Sequence, residues 1–131
     1  MTILDTKEFI TAFVQSYLAT ASWITTDSGD CTDFTRNAKK WAKEDCLKFI
    51  QVVRIKLGED KAMQLLTIPG KDLTYLAPHD FWLTRNEHGA GFWDKEDKYG
   101  KNEAAVLTEI CKEIGGCDCY HLKGPRSKLT F

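Results

Sequence analysis

Asp80, His88 and Asp94 fall close together in the segment HDFWLTRNEHGAGFWD (79–94), and carboxylates beside an imidazole are what a small hydrolase uses to move protons or to hold a divalent ion. Such a centre also needs a group that stabilises developing negative charge, which Arg85 or the amides of Gly89 to Gly91 could supply. The same stretch supports a different chemistry. Trp82, Arg85, Asn86, His88 and Asp94 combine a flat aromatic with hydrogen-bond donors and acceptors, the materials of a protein-recognition hot spot. No spacing in the segment requires the acid/base groups to converge, so the expectation is a binding surface with no catalytic residue, the Asp80/His88/Asp94 hydrolase standing as an alternative.

A second cluster, Cys111, Cys117, Cys119 and His121, has the ligand types that suit zinc. Cys117 and Cys119 are two apart and lack the C-x2-C spacing that lets two sulfurs converge on one ion, so the expectation is free thiols and no metal or cofactor. Five cysteines, an odd number, in a chain whose first residues MTILDTKEFITAF resemble no export signal also argue against a disulfide framework. No apolar run approaches the length of a membrane span. A cytoplasmic protein is expected.

Eighteen basic against nineteen acidic residues leave a formal charge of -1, so any affinity for nucleic acid must come from a local patch. One candidate exists. Arg36, Lys39, Lys40 and Lys43 recur at i, i+3, i+4 and i+7 and so share a helix face, with Arg54 further along it. This strip over 36–54 is either an anion- or nucleic-acid-binding surface, with Trp82 or Trp93 to stack bases, or a solvated helix face.

The elements that would position these groups can be read from periodicity. Residues 5–21 open with the capping-box offsets Asp5 and Glu8 and continue with Phe9, Phe13, Tyr17 and Ala21 on one stripe, which predicts a helix. Asp33 or Thr35 caps a second helix running to about Leu57, with Phe34, Ala38, Trp41, Ala42, Phe49, Ile50, Val53 and Leu57 inward and Gly58 as its stop. A short helix over 61–67, a turn over 72–76, and a further helix over 103–114 ended by Gly115-Gly116 follow the same logic.

Alternation over 80–86 and the Gly89-Ala90-Gly91 turn predict a hairpin whose return strand starts at Phe92 and Trp93. Its tip exposes Arg85, Asn86 and His88, while Phe81, Leu83, Phe92 and Trp93 pack inward. A second hairpin is expected from 117–122 and 127–131. The expected fold is thus α+β, one domain over 1–131, with an antiparallel sheet of about four strands in two hairpins packed on two long helices and one further helix.

The segment HDFWLTRNEHGAGFWD resembles the motif G-H-D-F-W-L-T-R-N-G-H-G-A-G-F-W-D of a family of small uncharacterised proteins encoded largely by bacteriophages and prophages. SYLATASWITTD and Asp45-Cys46-Leu47-Lys48-Phe49 match further features of that family, while Pro78 and Glu87 stand where its pattern has glycine. The resemblance implies a phage-type accessory protein that binds and modulates a host or defence protein, with an anti-CRISPR-like inhibitor as one form of that role. It implies no established activity and no oligomeric state.

Overall fold

The structure, a computed structural model, describes residues 2–26, 33–122 and 128–131. The turns expected at Ser28-Gly29-Asp30 and over 123–126, and Cys31, lie outside the described residues. Helix α1 spans Lys7–Thr26 and runs beyond the expected end at Ala21. Its cap is Thr6, whose Oγ1 accepts from the Phe9 amide at 3.2 Å, while Asp5 ends a separate 3-10 turn, Ile3–Asp5, capped by Thr2. Phe9, Phe13, Tyr17 and Ala21 are buried as the periodicity predicts.

Helix α2, Arg36–Leu57, is capped by Thr35 and stopped at Gly58, which adopts φ 88°. It buries Ala38, Ala42, Cys46, Phe49, Ile50 and Val53. Trp41 was expected among them and instead points out, 46% exposed, because at about 100° per residue it falls outside the arc those six occupy. Helix α3, Glu59–Leu66, follows at once. Arg54 ties the chain start to this joint, donating to Asp5 at 2.9 Å and to Glu59 at 2.6 Å. Its guanidinium, with the Thr2 amide, holds the Asp5 carboxyl down at about 2.

The expected hairpin over the central motif does not form. Residues Ala77–Arg85 are helix α4, with Pro78 in its first turn, where a missing amide hydrogen costs nothing. Phe92–Asp94 is a 3-10 turn, Glu96–Tyr99 a single-turn helix α5, and Lys101–Ile114 helix α6. The cause of the misreading is burial. Helix α4 packs against α1, α6 and the 92–94 turn, and Ala77, Pro78, Asp80, Phe81, Trp82, Leu83, Thr84 and Arg85 are all buried. A helix buried at all its positions but His79 has no polar stripe, so the 3.6-residue signature is missing and an accidental alternation takes its place. Phe81, Leu83 and Phe92 are inside as expected, but Trp93 is 50% exposed.

The expected four-stranded antiparallel sheet and the α+β class are likewise corrected to a mostly helical fold. The described strands are β1 (Asp33–Phe34), β2 (Tyr120–Leu122) and β3 (Lys128–Thr130), in the order β1-β3-β2. β1 runs parallel to β3 and β2 antiparallel to it. This small mixed sheet closes one end of the helical core: Leu129 is fully buried, and Phe131 stacks on Trp82 at 5.6 Å. At the centre, Phe49 of α2 lies flat on Phe81 of α4 with centroids 4.2 Å apart.

Candidate functional site

Helix α4 ends by the Schellman arrangement. The His88 amide donates to the Leu83 carbonyl at 2.9 Å and the Glu87 amide to that of Thr84 at 3.1 Å, which requires a left-handed residue between cap and exit. That residue is Glu87, with φ 58°. A glycine would take this conformation without the Cβ clash. Glu87→Gly should therefore raise stability by about 1 kcal/mol in urea unfolding. A loss would show that the exposed Glu87 side chain contributes more than its backbone strain costs.

The polar residues of the motif are turned inward. Arg85 donates through Nε to the Gly115 carbonyl at 2.8 Å, and through Nη1 to Tyr17 Oη at 2.9 Å and Asp45 Oδ2 at 2.7 Å. Asn86 accepts from the Cys117 amide at 2.7 Å and donates to the Trp82 carbonyl at 3.0 Å. Asp80, completely buried, accepts from Lys95 Nζ and from Tyr99 Oη, each at 2.7 Å. Thr84 Oγ1 accepts from the Phe92 amide, and a Cβ on Gly91 would collide with that hydroxyl, so glycine is needed there for the close approach.

The five residues expected to form a recognition surface are thus divided. Trp82 and Arg85 are buried at 3% and 6% exposure, Asn86 is half-buried, and only His88 and Asp94 are exposed. The placement of Arg85 at an exposed tip is corrected, because its guanidinium is spent inside. Trp82 Nε1 is buried with no acceptor among the described residues. Of the hydrolase set, Lys95 lies between Asp80 and Asp94, at 2.7 and 3.7 Å. Both Asp80 oxygens are occupied by internal donors, Asp94 Oδ1 accepts from the Gly91 amide at 3.0 Å, and the exposed His88 shares no hydrogen bond with either.

The basic strip survives in part. Arg54 is consumed by Asp5 and Glu59, and Lys39 pairs with Asp33 at 3.0 Å. Arg36, Lys40 and Lys43 remain exposed on α2 without an ion pair among the described residues, and Lys48, which the strip did not include, joins them. Cys111 is buried in α6 and Cys117 and Cys119 are half-buried, burial pushing all three thiols up and away from the thiolate a metal would need. Among the described residues no three His, Cys, Asp or Glu side chains gather as a metal site.

Two of the depressions on the surface adjoin the motif. One, of about 440 Å³, is polar and lies over the end of the motif, lined by Arg85, Asn86, Glu87, Lys112 and Cys117. The other, of about 430 Å³, lies between the end of α1, the 70–76 loop and the first turn of α4, with Trp23, Tyr75, Leu76 and His79 in its walls. Here Thr20 Oγ1 donates to the Ser16 carbonyl at 2.9 Å and stands 3.0 Å from His79 Nδ1. Burial lowers the His79 pKa from its ordinary 6.5, which favours the neutral imidazole. No family model, curated protein or solved structure matches this chain. Among the described residues no helix is long and apolar enough to cross a membrane.

Sequence reading missed Trp23, Tyr75 and Thr20 as neighbours of His79, and it placed Trp41 in the core. For Trp23 a signal was present: if the helix is carried past Ala21, about 100° per residue puts Trp23 off the stripe of Phe9, Phe13, Tyr17 and Ala21 and hence outward.

Proposed function

We propose that this chain is a non-enzymatic accessory protein of phage type that acts in the host cytoplasm by docking on a host or defence protein through the outer face of α2. The observation that carries this reading is that Trp41, Leu47 and Ile55 of α2 stand out from the core at 46%, 38% and 72% exposure. One long helix bearing an indole and two aliphatic side chains to water, flanked by lysines, suits a partner surface that is apolar at its centre and acidic at its rim. The central motif serves this role indirectly, since Arg85 braces α1, α2 and the 115 turn through Tyr17, Asp45 and Gly115.

The test compares wild type with a Trp41→Glu/Ile55→Glu variant in capture of protein from bacterial host lysate. Both positions are exposed, so the variant should keep its melting temperature while losing the specific partner. Retention of the same partner would remove this face from the proposal.

A second reading rests on the same helix: Arg36, Lys40, Lys43 and Lys48 are uncommitted to any described acid, and Trp41 beside them offers a stacking face. Under it, Lys40→Glu/Lys43→Glu weakens binding of a random single-stranded oligonucleotide with a reduced salt slope. Nuclease-resistant capture of a protein partner, unchanged by those two substitutions, decides for the first reading.

A further inference from the structure

We propose that the cleft between α1 and α4 is a binding site for a small, uncharged aromatic molecule bearing one N–H or O–H donor, an indole- or phenol-like ring whose donor is accepted by His79 Nε2. The site is separate from the outer face of α2 and needs no protein partner. Four observations carry it.

The first is the tautomer. We assign the Thr20 hydroxyl hydrogen to the Ser16 carbonyl, 2.9 Å away, and on that assignment the 3.0 Å contact with His79 is an Nδ1–H donating to Thr20 Oγ1. Nε2 then carries the lone pair, and no described residue donates to it. In the neutral ring that burial favours, and in this tautomer, Nε2 is an acceptor.

The second is the wall. The loop that faces His79 is pinned by a bridge between Pro69 and Tyr75, by the Leu76 amide donating to Ile68 at 2.9 Å, and by the Gly70 amide donating to Thr74 at 3.4 Å. A Cβ on Gly70 would come within 2.7 Å of the Leu73 carbonyl, so the tight turn requires glycine. Tyr75 is held from behind by Phe9, 5.0 Å away. The cleft is formed before any ligand arrives, which lowers the ordering cost of binding.

The third is Trp23, whose indole is 57% exposed and lines the same cleft. With Tyr75 and Leu76 it supplies the apolar surface that a planar ring covers. The fourth is size and charge. A volume of about 430 Å³ is roughly three times a cavity that accepts benzene, which admits a two-ring molecule in a half-open site. Lys71 and Asp72, adjacent at the rim with opposite charges, give no net preference for an anion or a cation.

The experiment titrates the full-length, 15N-labelled protein with indole, with N-methylindole, which lacks the donor, and with N-acetyltryptophanamide, which presents the same ring as part of a peptide. Indole should shift the amides of Trp23, Leu73 and His79 and the His79 ring nitrogens. N-methylindole should bind roughly tenfold more weakly, the worth of one good hydrogen bond. His79→Phe should erase that difference while leaving ring binding in place, and Trp23→Ala, at an exposed position where folding is not at stake, should weaken both ligands alike. Equal affinities in wild type, a difference that persists in His79→Phe, or no shifts in the cleft at millimolar indole would each overturn the proposal. Tighter binding of N-acetyltryptophanamide than of indole would also overturn it, by assigning the cleft to an aromatic side chain of a partner protein.

Discussion

Arg85→Ala is expected to destabilise the fold by about 3–5 kcal/mol, the usual cost of breaking a buried charged pair from one side. The guanidinium has a 4% exposed side chain and is shared by three elements. Removing it leaves the Tyr17 hydroxyl, at 0% exposure, and the Gly115 carbonyl without their donor, while Asp45, 34% exposed, can recover water. It also removes the cation lying 5.2 Å from the Phe81 ring centre. His88→Ala, three residues beyond Arg85 in the cap of the same helix but exposed, should stay within roughly 0.5 kcal/mol. Urea midpoints of the two variants measure the contrast. Comparable, small shifts would mean that Arg85 is not the brace that the geometry makes it.

Asp80→Ala is the second large effect, expected at about 3 kcal/mol or more. It strips Lys95 and Tyr99 of a shared acceptor at once. The losses differ in kind. Lys95 is 24% exposed and can retreat to water, whereas the Tyr99 hydroxyl is buried and cannot. Unsatisfied, it costs about 1–3 kcal/mol alone. A double-mutant cycle separates these contributions: Tyr99→Phe in the Asp80→Ala background should restore part of the stability, because the orphaned hydroxyl is gone. Additive losses would show that the two side chains act independently in the folded protein.

What could be read in the chain and what could not follows from burial geometry. Helices α1, α2 and α6 were legible because each buries one face and leaves the other wet, so the 3.6-residue period is written in residue types. Their stops at Gly58 and Gly115 were legible too, since both glycines take the positive φ, 88° and 86°, that a helix exit asks for. Helix α4 was not legible. Its Asp80 and Thr84 look like the polar face of a strand and its Arg85 like the strand's exposed end, and only the presence of Lys95, Tyr99, Phe92, Tyr17 and Asp45 from distant segments makes them interior groups. Strands β1 and β3, separated by most of the chain, pair through backbone hydrogen bonds that leave little pattern in so few side chains.

The motif over 79–94 was visible by its density alone, and by itself the sequence determined that its residues matter together. Tertiary structure decided how: Arg85, Asn86 and Asp80 are spent on internal partners, which removes them from any open surface. It likewise decided which side chains are left over. Trp41 emerges from α2 because the buried arc turns away from it, and His79 faces Trp23 and Tyr75 only because α1, the 70–76 loop and α4 converge there. Short-range pattern encodes which face of one helix is dry; a cleft built from three separate segments is encoded only in the packing that brings them together.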